Sequence, residues 1–137
     1  SLNMKNRETQ KISGIVLIES KNKALSANPV AKVYAQDIEK ISSAEAIVLF
    51  GSLLEEKEKA NDADVFFLIK NKKHVKKITA DCLETSKTKT KPIVPLIMTC
   101  NDMKNKIQEQ NPVILEILKS GVVVFGEDAI VEVLSNV

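Results

Sequence analysis

Residues 46–69 read AIVLFGSLLEEKEKANDADVFFLI, and the two ends of that stretch decide the fold. Ala46 to Phe50 is an unbroken apolar run, too short for a helix and containing β-branched Ile47 and Val48, so it reads as a strand covered on both faces. Gly51 ends it. Leu53 to Asn61 is densely charged and suits a loose helical turn, after which Asp62 to Ile69 reads as a second strand, since Val65, Phe66, Phe67, Leu68 and Ile69 are strongly β-prone. Within that strand Asp62 and Asp64 stand two residues apart, a spacing that puts both carboxylates on one face.

Working outward, the periodicity predicts an amphipathic helix over Lys11 to Leu25, carrying Ile12, Ile15, Val16, Leu17 and Ile18. Asn28-Pro29 predicts a second helix, with Asn as N-cap and Pro at the first position, where a missing N–H costs nothing. Its apolar face is Val30, Val33, Tyr34, Ile38 and Ile41. C-terminal to the aspartates, Lys70 to Lys91 predicts a solvent-covering helix whose core face is Val75, Ile78, Cys82 and Leu83. Pro92 to Thr99 predicts a third strand, placed at a sheet edge because proline cannot donate to a ladder. Asn101 or Asp102 is expected to cap a short helix to Gln110, and Asn111-Pro112 repeats the cap signature ahead of a helix over Val113 to Lys119. Gly121 is expected at C′ of that helix, Val122 to Phe125 as a last strand and Asp128 to Leu134 as a terminal helix. Strands separated by helices give an α/β (α+β) domain with a small mixed sheet of about three to four strands flanked by helices.

The 137 residues suffice for one compact core. The expected division is an N-terminal helical segment over 1–41 packing on a sheet domain over 42–137. A net charge of +2 is too small to argue for nucleic acid, and the basic run Lys70 to Lys77 with His74 reads as a solvated helix face. No apolar run approaches the ~20 residues of a membrane span, and charges interrupt every apolar segment near the start, which predicts a cytoplasmic protein with no membrane partner. Cys82 and Cys100 lack a Cys-x-x-Cys or histidine partner and are expected to be buried or idle thiols.

The chemistry expected at the central stretch follows from residue type. Two adjacent carboxylates repel unless a cation lies between them, and Mg²⁺ is the usual cation for a carboxylate pair completed by water and substrate phosphates. Gly51 and Ser52, at the end of the preceding strand, let backbone approach a phosphate and offer N–H groups and a hydroxyl to its oxygens, and if the two strands are neighbours the phosphate cradle and the metal face one cleft. Metal clamping and orientation are what phosphoryl or nucleotidyl transfer requires of a protein.

An apolar strand, Gly51-Ser52, a nine-residue spacer, Asp62-Ala63-Asp64 and a second apolar strand resemble the nucleotidyltransferase superfamily that shares the polymerase-β palm, in its minimal prokaryotic form. Pro92 to Thr99, Asn111 to Ile117 and Gly121 to Gly126 are similar to the C-terminal part of such domains in archaea and bacteria, so the resemblance covers about residues 42–130. It implies Gly51 and Ser52 as phosphate-binding residues, Asp62 and Asp64 as catalytic Mg²⁺ ligands, and an NTP as substrate whose NMP passes to a hydroxyl acceptor. An alternative is a catalytically inactive sensor or interaction domain of a transcriptional regulator or antitoxin. Relatives of that kind often carry a preceding helix-turn-helix domain, and the Leu2-Asn3 opening resembles the junction after one. DNA contact is then expected only through that separate domain, with a protein partner or homodimer as further partners.

The chain also departs from the family pattern. Leu53-Leu54-Glu55-Glu56 stands where an Arg and a Gly are usual, Asn61 where Ser commonly precedes the first Asp, and residues 92–99 contain no carboxylate.

Overall fold

The computed structural model describes residues 27–41, 43–55 and 59–137. The helix expected over Lys11 to Leu25 lies outside them. The described chain is α+β, with six helices and one four-stranded mixed sheet. In chain order its elements are α1 (Pro29–Ile38), β1 (Ala46–Phe50), the short α2 (Ser52–Glu55), β2 (Ala63–Ile69), a 3₁₀ turn at Lys72–His74, α3 (Val75–Ser86), β3 (Ile93–Thr99), α4 (Cys100–Gln108), α5 (Pro112–Ser120), β4 (Val122–Phe125) and α6 (Glu127–Ser135). None of these helices is long and apolar enough to cross a membrane.

The sheet order is β3-β2-β1-β4. The pair β1 and β2 is antiparallel, and so is β1 with β4, whereas β2 and β3 run parallel through the α3 crossover. Their central positions explain the unbroken apolar runs of β1 and β2, since both faces of both strands are covered. On one face Ile47, Leu49, Val65, Phe67 and Ile69 pack against Ala31, Tyr34 and Ile38 of α1 and Ile78 and Cys82 of α3. On the other, Val48, Phe66 and Leu68 meet Met103 of α4, Ile114 and Ile117 of α5, and Ile130 and Val133 of α6. Phe66 and Phe67 are fully buried on opposite faces, and truncating either to Ala removes about 3–5 kcal/mol of packing. As Pro95 requires, β3 is the edge strand: only Ile93 in it is buried, and Pro95, which cannot donate, has a strand partner on one side only.

Several local expectations are corrected by tertiary contacts. Val75 and Leu83 of α3 are exposed at 37% and 64%, so its core face narrows to Ile78 and Cys82, one helical turn apart. Leu83, one residue beyond Cys82, is rotated about 100° toward solvent. Helix α4 is capped by Thr99 rather than Asn101 or Asp102, in a reciprocal box in which Thr99 Oγ1 accepts from the Asp102 N–H and the Asp102 carboxylate accepts from the Thr99 N–H. Gly121 is not a left-handed C′ residue, for its φ of −70° and ψ of 154° are extended. It is small because a Cβ there would sit 2.6 Å from Val48 Cγ1 and collide with the Ile117 carbonyl.

Both Asn-Pro signatures cap as the sequence predicts. Asn111 Oδ1 accepts from Val113 and Ile114, and Asn28 Oδ1 accepts from the Ala31 N–H at 3.0 Å. Asn28 has a second role, donating Nδ2 to the buried carbonyl of Leu53 at 3.1 Å and so tying α1 to the turn after Gly51. Asn28→Ala removes the cap, about 1 kcal/mol, and leaves a buried carbonyl unpaired, about 1–3 kcal/mol. Urea denaturation is expected to show a loss of roughly 2–4 kcal/mol with an unchanged m value. Asn28→Asp, which keeps the cap acceptor and lacks the donor, is expected to fall between the two; a loss equal to that of Asn28→Ala contradicts a separate contribution from the cap.

Candidate functional site

The register of β1 and β2 builds the site. Phe50 stands opposite Asp64, so the strand end that turns at Gly51 lies beside the strand start that carries the aspartates. Gly51 has φ +80°, and a Cβ there would collide with Asp64 Oδ2 and lie 3.3 Å from Asp64 Cγ. The Asp64 carboxylate is therefore held against the bare Cα of Gly51. Glycine is favoured here by the left-handed backbone, and a side chain would also displace the Asp64 carboxylate. Ser52 follows half-buried at the start of α2, and Leu53, fully buried, anchors the turn in the core together with the Asn28 bond.

Asp62 lies immediately before β2 and Asp64 within it, both half-buried. Alternation puts Asp64 on the face of Phe66 and Leu68, toward α5. Burial, the neighbouring Asp62 charge and the Glu116 charge, in that order, raise the Asp64 carboxyl above its ordinary value. Structure thus brings together the four residues singled out in the sequence and adds Glu116, an exposed side chain of α5. Nothing local marks Glu116: it is one acid in an amphipathic helix, brought near Asp64 only when α5 packs on β1.

No donor among the described residues hydrogen-bonds the Asp62 or Asp64 side chain, and no group of three or more His, Cys, Asp or Glu among them is disposed to hold a metal ion. Of the sequence departures, Glu55 is exposed on α2, while Glu56 lies outside the described residues. Two concavities lie elsewhere. A groove of about 380 Å³ between α1 and α3 is lined by Asp37, Lys40, Asp81 and Glu84, and a hollow of about 240 Å³ at the opposite end of the sheet includes Lys70, Cys100 and Lys104. Cys82 is buried and its thiol is pushed up to about 11, chiefly by burial, which makes it inert; Cys100 is half-buried, and neither is in a disulfide.

Comparison of the chain with family models, with curated proteins and with solved structures found no match.

Because its proton is held more tightly in the folded chain than in the unfolded one, Asp64 favours folding below its ordinary value of 3.8, and that contribution is lost as pH rises through the elevated folded value. At neutral pH the ionised carboxylate therefore opposes folding. Asp64→Asn is expected to be more stable than the parent at about pH 7 by urea denaturation, with the gain vanishing toward about pH 3. A gain independent of pH, or a loss at neutral pH, contradicts this electrostatic account.

Proposed function

We propose that this domain is an Mg²⁺-dependent nucleotidyltransferase-like domain that moves an NMP from an NTP to a hydroxyl acceptor. The observation that carries the reading is the position of the Asp64 carboxylate against the left-handed Gly51 turn, which puts the carboxylate pair beside the Gly51-Ser52 turn. The donor set fits a hard divalent cation. Asp62 and Asp64 supply oxygen ligands, their mutual repulsion is unrelieved by any donor among the described residues, and a cation removes it. Two carboxylates suffice for Mg²⁺ when water and substrate phosphates complete the shell, as the ion demands of few protein ligands.

In this reading the turn at Gly51 and Ser52 offers backbone N–H groups to the triphosphate, and the Ser52 hydroxyl donates to a phosphate oxygen. Asp62 and Asp64 would hold the cation, which when bound would supply charge neutralisation for the phosphates and the departing pyrophosphate. Glu116 is the acid that α5 brings near Asp64, and we assign to it the acceptance of the proton from the attacking hydroxyl. The acceptor oxygen then bonds to the α-phosphorus as the bond to the bridging oxygen breaks.

The lack of a third metal-binding acid among the described residues favours a second reading, in which the fold binds nucleotide without transferring it, as a sensor or interaction domain of a regulator or antitoxin. Thermal melting with ATP, GTP, CTP and UTP, each with Mg²⁺, tests the shared premise. A nucleotide at 100 times its dissociation constant is expected to add about 2.7 kcal/mol of apparent stability, and the response is expected to disappear in Asp62→Ala/Asp64→Ala. No shift in the parent, or an equal shift in the double variant, rejects the site. Incorporation of labelled NMP then separates the readings: transfer that falls at least tenfold in Glu116→Gln, with nucleotide binding kept, supports the enzyme, whereas binding without incorporation supports the sensor.

A further inference from the structure

We infer that the opposite end of the sheet carries a binding surface for a nucleic-acid phosphate backbone. Between residues 70 and 77 the sequence KNKKHVKK holds five lysines and no acid, and all five are exposed. They extend from the end of β2 through the 3₁₀ turn to the first turn of α3. Two further lysines reach the same region from α4: Lys104 lines the same hollow as Lys70, and Lys72 and Lys106 both act on Asp102. Glu45 and Glu132 line the same hollow as Lys70 and Lys104. Among the described residues, Lys70, Lys72, Lys73, Lys76, Lys77 and Lys104 form no ion pair with a carboxylate.

The backbone adds to this field. Helix α3 is twelve residues long, yet its first turn contains no acid and its N-cap, His74, makes no side-chain capping bond. The first N–H groups of a helix carry partial positive charge, so Lys76, Lys77 and the preceding Lys72 and Lys73 stand where cations are least favourable. The arrangement opposes its own folding and is relieved by an anion. Its spread over three elements exceeds one phosphate group and suits a polyanion.

The chemistry favours nucleic acid over an anionic membrane. Val75, 37% exposed, is the one large apolar side chain exposed within 70–77, which leaves a bilayer no substantial anchor. Lysines without arginine or aromatic neighbours contact phosphates as point charges and read neither base edges nor stacking faces, so binding is independent of sequence. Asp64 and Lys70 are six strand residues apart, roughly 20 Å along β2, so this surface is separate from the Gly51 site and does not depend on the function proposed for it.

Fluorescence anisotropy of a labelled 20-nucleotide single strand, as DNA and as RNA, is the test, run from about 50 to 200 mM salt. Expected are salt-dependent binding to at least one strand type and a loss of at least tenfold in Lys73→Gln/Lys76→Gln/Lys77→Gln, whose log–log salt slope falls by about 2–3. The triple variant is expected to melt no lower than the parent, which removes unfolding as an explanation. Asp62→Ala/Asp64→Ala is expected to bind the strand undiminished. No binding of either strand at 50 mM salt, full affinity in the triple variant, or binding to phosphatidylserine vesicles without binding to either strand overturns the inference.

Discussion

The antiparallel pairing of β1 with β2 is the constraint on which the rest of this structure depends. It joins the two central strands, buries Phe66 and Phe67 on opposite faces, and sets Phe50 across from Asp64. A slip of one residue would exchange the faces of β2, turning Asp64 into the core that Val65 and Phe67 now fill. Register is thus fixed by the cores on both sides, and the site inherits it. The Gly51 turn, the Leu53 anchor and the Asn28 bond then hold the strand end in place.

The carboxylates of this chain are treated unequally. Asp37 is held below its ordinary value first by the hydrogen bond from Lys89, and Asp102 by the Thr99 backbone N–H and then its side chain. Asp64 receives no such donor among the described residues and is driven the other way by burial and by two acids. Electrostatic strain is thus concentrated at a strand end beside the Gly51 turn. The basic end of the same sheet carries the opposite imbalance, with Lys70, Lys72 and Lys73 in no ion pair among the described residues.

Much of this was legible in the sequence where the signal is local. Continuous apolar runs gave the two central strands, Pro95 gave the edge, and Asn28-Pro29 and Asn111-Pro112 gave helix starts, because each reports a constraint on its own backbone. That the Gly51 turn and the aspartates share one end of the sheet was legible once the two strands were assumed to be neighbours, whereas the contact of Gly51 with the Asp64 carboxylate was not. What was not legible depends on distant partners. Gly121 is small because of Val48, Leu83 is exposed because α3 meets the sheet along a narrow line, Asn28 donates to a carbonyl 25 residues away, and Glu116 reaches Asp64 only through helix packing. The Thr99 cap was hidden because Thr99 also ends a strand.

The most direct test of the central claim is the map of Mn²⁺-induced line broadening over the backbone amide resonances, with Mn²⁺ standing in for Mg²⁺ at an oxygen-ligand site. Broadening at substoichiometric Mn²⁺ is predicted to concentrate at Gly51, Ser52 and residues 62–64, to extend to Glu116, and to vanish in Asp62→Ala/Asp64→Ala. Broadening centred on other acids, such as Glu127, Asp128 and Glu132, or a map unchanged in the double variant, contradicts the account.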